Sequence, residues 1–284
     1  MPNLKLPTNR LLVVAIVAAG TTVLANILWA LASGGARDAL TITGVLAFAA
    51  ASGLHAYVAY GREFLVKFLM IALLATLVIE VLGVATGFPF GTYEYDPERL
   101  GISVLGVPLL IPFAWFMMLY PSWLISRDLF KSRLLTIPTA ALLMSTWDLY
   151  LDPQMVNEGY WVWFVDGIAT KDIPLTNFLG WFLSTALIFT LLSVALKPKQ
   201  SEISNATPYA LVLWVWLGSF LVNIVPVSPF FNQPVVAITG FIGMGIVLIP
   251  WSWMLWQRRV ASRTPLKRRV QWRRCFAPIL VRPR

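Results

Sequence analysis

The sequence has one cysteine, Cys275, and one histidine, His55, in 284 residues. A lone thiol excludes intrachain disulfides and thiolate metal sites. A lone imidazole excludes the histidine-rich iron centres of membrane desaturases and hydroxylases. Neither a glycine-rich phosphate loop nor a zinc-ligand spacing is present. Charge is also scarce: only 12% of residues are charged, about half the share of a soluble domain. Acids are the rarer sign, 13 against 22 bases, for a net charge of +9. No internal repeat is visible.

What fills the chain is hydrocarbon. Hydrophobic residues make up 58% of it and the mean hydropathy is +0.73. Apolar runs of ~20 residues, enough to cross a bilayer as a helix, recur throughout and leave no room for a sizeable soluble domain. The expectation is an all-α polytopic integral membrane helical bundle of about eight transmembrane helices. The predicted spans are 11–32, 39–60, 64–86, 104–126, 134–151, 175–196, 209–225 and 235–256, the fifth being among the shortest. The first has no small-residue cleavage site, so it reads as a retained helix. The transmembrane domain is drawn as 1–257 and a basic tail as 258–284. Pro108, Pro112, Pro121 and Pro138 are expected to bend or interrupt helices, which neighbouring helices tolerate. Two long loops, 87–103 and 152–174, are rich in Tyr, Trp, Gly and acids.

Basic residues set the orientation. With the N-terminus in the cytoplasm, the inner segments hold Lys5, Arg10, Arg62, Lys67, Arg127, Lys131, Arg133, Lys197, Lys199 and the C-terminal cluster. The outer segments hold only Arg37, Arg99 and Lys171. The predicted location is a cell membrane, multi-pass, with both termini cytoplasmic. The arginine-rich tail interleaves Trp272 and Phe276 with its charges. It follows directly on a span, so adhesion to anionic membrane lipid is the expectation and nucleic acid is not an expected partner.

Ionisable residues inside spans are costly and mark sites. Glu80 lies in an apolar stretch, Asp148 follows Trp147, and His55 falls in the second span. In the predicted topology Glu80 and Asp148 share the outer half of the bilayer with Asn26, Asn177 and Asn223, which suggests one pocket. His55 falls on the inner side and reads as an interhelical hydrogen-bonder. Asp152, one turn from Asp148 on the same face, is expected at the wet end of its helix. Trp161 and Trp163 read as members of an interfacial belt, whereas Trp115, mid-span, and Trp147, beside an acid, do not. Aromatic faces attract cations, so an acid with aromatic walls suits carbocation chemistry. Asp148-x-x-x-Asp152 could hold a magnesium diphosphate, but no second acidic motif or basic residues accompany it, and the diphosphate would lie unneutralised.

Gly87-Phe88-Pro89-Phe90-Gly91-Thr92-Tyr93-Glu94-Tyr95, followed by Gly106-Val107-Pro108, Pro112 and Trp115, resembles the membrane proteins of the carotenoid hydratase family. Trp147-Asp148-Leu149-Tyr150-Leu151-Asp152-Pro153, Gly159-Tyr160-Trp161 and Pro174-Leu175-Thr176-Asn177-Phe178-Leu179-Gly180-Trp181 fit the same family. The arginine-rich tail is outside its pattern. The resemblance implies cofactor-free, metal-free addition of water across the terminal double bond of an acyclic carotenoid, giving a tertiary alcohol. It also implies other enzymes of that pathway as possible neighbours. An alkene is a poor base, so such a reaction needs a carboxylic acid held close, in surroundings that favour its uncharged form. The implied catalytic pair is Glu80 and Asp148, one as acid and the other positioning water. Trp115, Trp147 and Tyr150 are the implied cation walls, with Tyr93, Tyr95, Asn177 and Trp181 completing the substrate-binding set. Alternatives from other classes are a transporter of a lipophilic solute, a non-catalytic assembly partner of carotenoid enzymes, and a carotenoid cyclase, which shares the cation but excludes water.

Strict alternation of basic and poor loops leads to a direct test. Reporter fusions after Lys199 and after Arg284 should both read cytoplasmic, and an outside reading at either position would overturn the eight-span topology.

Overall fold

The computed structural model describes residues 8–164, 168–170, 173–196, 205–225 and 232–263. The tail beyond Arg263, with its expected lipid anchor, lies outside the described residues, as do Lys5, Lys171, Lys197 and Lys199. Eight helices appear among the described residues: α1 (Thr8–Trp29), α2 (Gly34–Tyr60), α3 (Arg62–Thr86), α4 (Leu110–Leu129), α5 (Arg133–Glu158), α6 (Leu175–Ala195), α7 (Thr207–Ile224) and α8 (Pro234–Arg263). Short strands β1 (Thr92–Tyr95), β2 (Ser103–Val104) and β3 (Val107–Pro108) join α3 to α4. Strands β4 (Trp161–Phe164), β5 (Ala169–Thr170) and β6 (Ile173–Pro174) join α5 to α6. The molecule is an all-α multi-pass membrane bundle carrying small β-ribbons at one end.

Seven of the helices are long and apolar enough to cross a membrane. The exception is α4, which carries Pro112, Pro121, Ser122, Ser126, Arg127 and Asp128. It is also the most enclosed: every residue from Trp115 to Ser126 is buried. Wrapped by protein on all sides, it does not need a lipid-compatible surface. Its C-terminal end lies at the opposite pole from the ribbons. There Trp123 meets Tyr60, the last residue of α2, at 5.6 Å between ring centroids, and Trp251 Nε1 donates to Asp128 at 3.2 Å. The first turns of α2, by contrast, bond at the ribbon pole through Arg37 to Glu158 at the end of α5. Helix α4 therefore runs the full height of the bundle, parallel to α2. The peripheral helices face lipid, as Val13, Val17, Val78 and Leu187 show by being exposed although apolar.

Two predicted boundaries differ from the structure. The fourth span was placed from residue 104, but 103–108 form a β-hairpin pairing Ser103 with Pro108 and Val104 with Val107. Its two turn residues, Leu105 and Gly106, have φ of 51° and 82°, the positive pair a type I′ turn requires. The fifth span, expected to end at residue 151, continues through Pro153 to Glu158. One proline costs a helix a single backbone bond and some bending, which surrounding protein can tolerate. The actual stop is Gly159, left-handed at φ 76°, whose N–H bonds Val156 O while Tyr160 N–H bonds Met155 O. These two bonds make a Schellman termination.

The two long loops meet as an antiparallel ribbon, with Tyr93 opposite Trp163 and Tyr95 opposite Trp161. Alternation along a strand sends these four aromatics to one face and Glu94 and Val162 to the other. The aromatic face rests on the end of the bundle; Glu94, Val162 and Phe164 are exposed. The loop before β1 is seated on α3 and α6 through glycines. A Cβ at Gly180 would stand 2.8 Å from both Pro89 O and the Phe90 ring. Gly180→Val should therefore lower the thermal stability of the detergent-solubilised protein, by about 1–3 kcal/mol as expected for overpacking. An unchanged melting temperature would show that this contact does not hold the loop.

Candidate functional site

Beneath the β1–β4 ribbon lies a cavity of about 410 Å³. Its walls come from α1, α2, α3, α4, α5, α6, α7 and the ribbon, and among the described residues they include Glu80, Asp152 and Asn177 but no Lys, Arg or His. Most of the remaining wall is aromatic or aliphatic. The interior thus combines acid groups with apolar surface and lacks any cationic partner.

Glu80 sits six residues before the end of α3 and is buried. With no water in hydrocarbon to solvate it, its carboxyl must find donors in the protein. The ribbon supplies them: Tyr93 Oη donates to Glu80 Oε2 at 2.6 Å and Tyr95 Oη at 2.8 Å. The Trp115 indole bears on the same carboxyl. Gly83 makes the approach possible, since a Cβ there would lie 2.8 Å from the Tyr93 hydroxyl oxygen. Burial, and then the charge of Glu80, push the Tyr93 and Tyr95 hydroxyls above their ordinary range. Both phenols therefore remain O–H donors.

The second acid group is arranged around Asn177, in the first turn of α6. Its Nδ2 donates to Asp148 Oδ2 at 2.7 Å and to Asp152 Oδ2 at 2.6 Å. Trp161 Nε1 donates to the other oxygen of Asp152 at 2.6 Å. Asp152 is 1% exposed, which corrects the expectation of a wet helix end: α5 runs on for another six residues and the ribbon roofs this turn. Asp148, expected as the second acid of the pocket, is buried behind Asn177, one turn deeper along α5, and does not line the cavity. The cavity-facing acids are Glu80 and Asp152.

The aromatic walls are only partly as expected. Trp115 and Trp181 stack with centroids 4.3 Å apart, and Trp147 meets Trp181 edge-on at 5.9 Å. All three line the cavity with Tyr93 and Tyr95. Tyr150 does not. It points toward α8, where its hydroxyl donates to Ala237 O at 3.3 Å and Gly240 leaves room for its ring. Trp161 and Trp163, expected in an interfacial belt, line the cavity instead. Their placement follows from pairing with Tyr95 and Tyr93, and a strand register between segments some 70 residues apart leaves no local signal.

Of the asparagines grouped with the acids, Asn26 lines the cavity and accepts from Trp214 Nε1 at 3.1 Å, whereas Asn223 bonds Ser219 O within its own helix. His55 joins α2 to α4 through Tyr120 Oη at 2.7 Å, away from the site, as its inner placement implied. Outside the cavity, Arg99 bonds Asp38 at 2.5 Å and Glu158 at 3.2 Å, stacks over Tyr160 at 4.3 Å, and neighbours the Arg37–Glu158 pair. This network ties the loop between β1 and β2 to the ends of α2 and α5.

Comparison with known proteins adds an independent line. The profile of the family described as "Carotenoid biosynthesis protein" matches residues 40–247. The bisanhydrobacterioruberin hydratase of Haloarcula japonica is 29% identical over 164 residues, covering 52% of this chain and 54% of the relative. The match thus spans about half the length of that relative. No solved structure matches the chain.

The two tyrosine bonds to Glu80 give a test that contrasts the two faces of one strand. Tyr93→Phe removes a donor from a buried carboxyl and should destabilise the protein by about 1–3 kcal/mol. Glu94→Gln, one residue away on the exposed face, should be neutral. Thermal unfolding of the two variants side by side checks this, and equal stabilities would overturn the facing.

Proposed function

This chain belongs to the carotenoid biosynthesis protein family, and from that premise we propose that it is an enzyme adding water to the terminal double bond of an acyclic carotenoid end, giving a tertiary alcohol. The observation that carries the reading is the cavity wall, with two buried acids among aromatic faces and no basic side chain among the described residues. A neutral polyene fits such a lining, and a cation formed from it would be stabilised by carboxyl groups and by the faces of Trp115, Trp147 and Trp181. Acid-catalysed hydration requires only a proton donor, a shielded cation and a positioned water.

We assign the proton donor to Glu80. Its Oε2 accepts from both tyrosines, and we place the transferable proton on Oε1. Protonation of the terminal alkene consumes its π pair, forms a C–H bond and leaves the positive charge on the more substituted carbon. Water attacks that carbon and surrenders a proton. Asp152, whose two oxygens already accept from Trp161 and Asn177, is placed to receive it. The aromatic walls exclude bulk solvent, so the cation meets one held water rather than many.

Size and access agree with a long substrate. Ile27 of α1 and Leu31 in the turn after it line the cavity and are also exposed, so the cavity reaches the lipid there. An end group can enter while the rest of the polyene stays in the bilayer. With both termini in the cytoplasm, the site lies in the outer half of the cell membrane.

Expression in a host making an acyclic carotenoid tests the proposal through pigment mass. The wild type should add one water per reacting end. Glu80→Gln and Asp152→Asn should each lower product per inserted protein by about 100- to 10,000-fold, the usual contribution of general acid–base groups. An unchanged mass with wild-type protein would favour a transporter or an assembly partner. An isomer of equal mass bearing a ring would favour a cyclase.

A further inference from the structure

The orientation of the Asn177 amide is determined by its partners. Nδ2 donates to carboxyl oxygens of both Asp148 and Asp152. Rotating the amide by half a turn would set its carbonyl oxygen against two acceptors. Oδ1 therefore points away from both acids. Among the described residues no group donates to it, although Asn177 is 1% exposed. Asp148 Oδ1 is in the same condition in a residue that is fully buried. These two acceptors belong to the two partners of one hydrogen bond, and Asn177 forms part of the cavity wall.

Buried acceptors without a donor are rare in folded proteins, and each asks for a ligand or a role. The species needed here must donate hydrogen bonds, be small enough for a packed wall and still present a lone pair to the cavity. Water meets all three conditions, and polar pockets of this kind hold it. Nothing apolar satisfies the acceptors. No basic side chain lines the cavity to do so from the protein.

Building on the hydratase reading, we propose that Asn177 Oδ1 seats the nucleophilic water, and that Asp148 is a positioning residue which, with Asp152, pins the amide so that Oδ1 faces the water. The water donates one O–H to Asn177 Oδ1 and directs a lone pair at the tertiary carbon. On attack its lone pair becomes the C–O bond. The other O–H bond breaks and that proton passes to Asp152. Glu80 has lost a proton and Asp152 has gained one, so the sum is alkene plus water giving alcohol. Asn177 thus decides the fate of the cation rather than its formation. A cation that no water captures gives a proton back and returns as alkene.

That difference is measurable in D₂O with the membrane-inserted full chain and an acyclic carotenoid. Wild-type protein should yield mostly alcohol bearing one carbon-bound deuterium. Asn177→Leu should still protonate the substrate but release it as alkene carrying deuterium, some with a shifted double bond. The ratio of labelled alkene to alcohol should rise on the order of tenfold or more, the effect of losing one buried hydrogen bond. Asp148→Leu should move the ratio in the same direction. Asp148→Asn, which still offers an acceptor to Asn177 Nδ2, should restore it toward wild type. A loss of packing alone would lower total turnover and leave the ratio unchanged. An unaltered ratio in Asn177→Leu overturns the proposal; if that variant does not insert, an unaltered ratio in Asp148→Leu does so. Wild-type protein that forms neither alcohol nor labelled alkene would remove the hydratase reading itself, an outcome distinct from a failure of the water seat alone.

Discussion

A carboxyl group in hydrocarbon has no water to turn to, and much of this structure follows from how Glu80 meets that constraint. Its donors cannot come from the neighbouring lipid-facing helices, whose surfaces are apolar. They come from a ribbon outside the helices, through Tyr93 and Tyr95. To bring two tyrosines on one strand to one oxygen, the strand must lie flat on the end of α3. That in turn requires Gly83 where a side chain would block the Tyr93 hydroxyl, and Gly180 where one would displace Phe90 and Pro89. The ribbon is therefore part of the membrane domain's polar chemistry rather than a surface connection.

The same ribbon is held from outside by charge. Arg37 and Arg99, with Asp38 and Glu158, form a cluster joining α2, the β1–β2 loop and α5. Its hydrogen bonds to the Asp38 carboxylate chiefly hold Arg99 above its ordinary range, while Tyr160, beneath the Arg99 guanidinium, is pushed up to about 12 by burial. These ion pairs are partly exposed, so each adds modest stability. Their greater effect is geometric, because they connect three separate segments at the rim of the cavity. Among the described residues the bases near the cavity thus sit at its rim, paired with Asp38 and Glu158, while Glu80 and Asp152 lie inside without one.

Asn177 links the two acid groups of α5 in a comparable way. Asp148 and Asp152 share one helix face, and two carboxyls one turn apart would repel if both were charged and unpaired. One amide nitrogen from α6 satisfies an oxygen of each. This arrangement separates their roles, with Asp152 reaching the cavity and Asp148 standing behind it.

The sequence alone determined the membrane bundle, because span length and hydrophobicity are local properties set by bilayer thickness, and all eight helices stand where apolar runs occur. It also marked Glu80, Asp148, Asn177, Trp115 and Trp147 as unusual, since polar or aromatic residues within a span are conspicuous against hydrocarbon, while Trp181 came from the family resemblance. Helix ends were legible only where their chemistry is local: Gly159 carries the stop that the Asp152-Pro153 pair only imitates. The tertiary structure decided which marked residues share a space. Asp152 entered the site and Asp148 withdrew behind Asn177 because of where α6 and the ribbon dock, and Tyr150 left it because Gly240 of α8 offers room for its ring. Trp161 and Trp163 reached the cavity through pairing with a strand some 70 residues earlier. Contacts of that range depend on packing and register between distant segments, and no local pattern of residues encodes them.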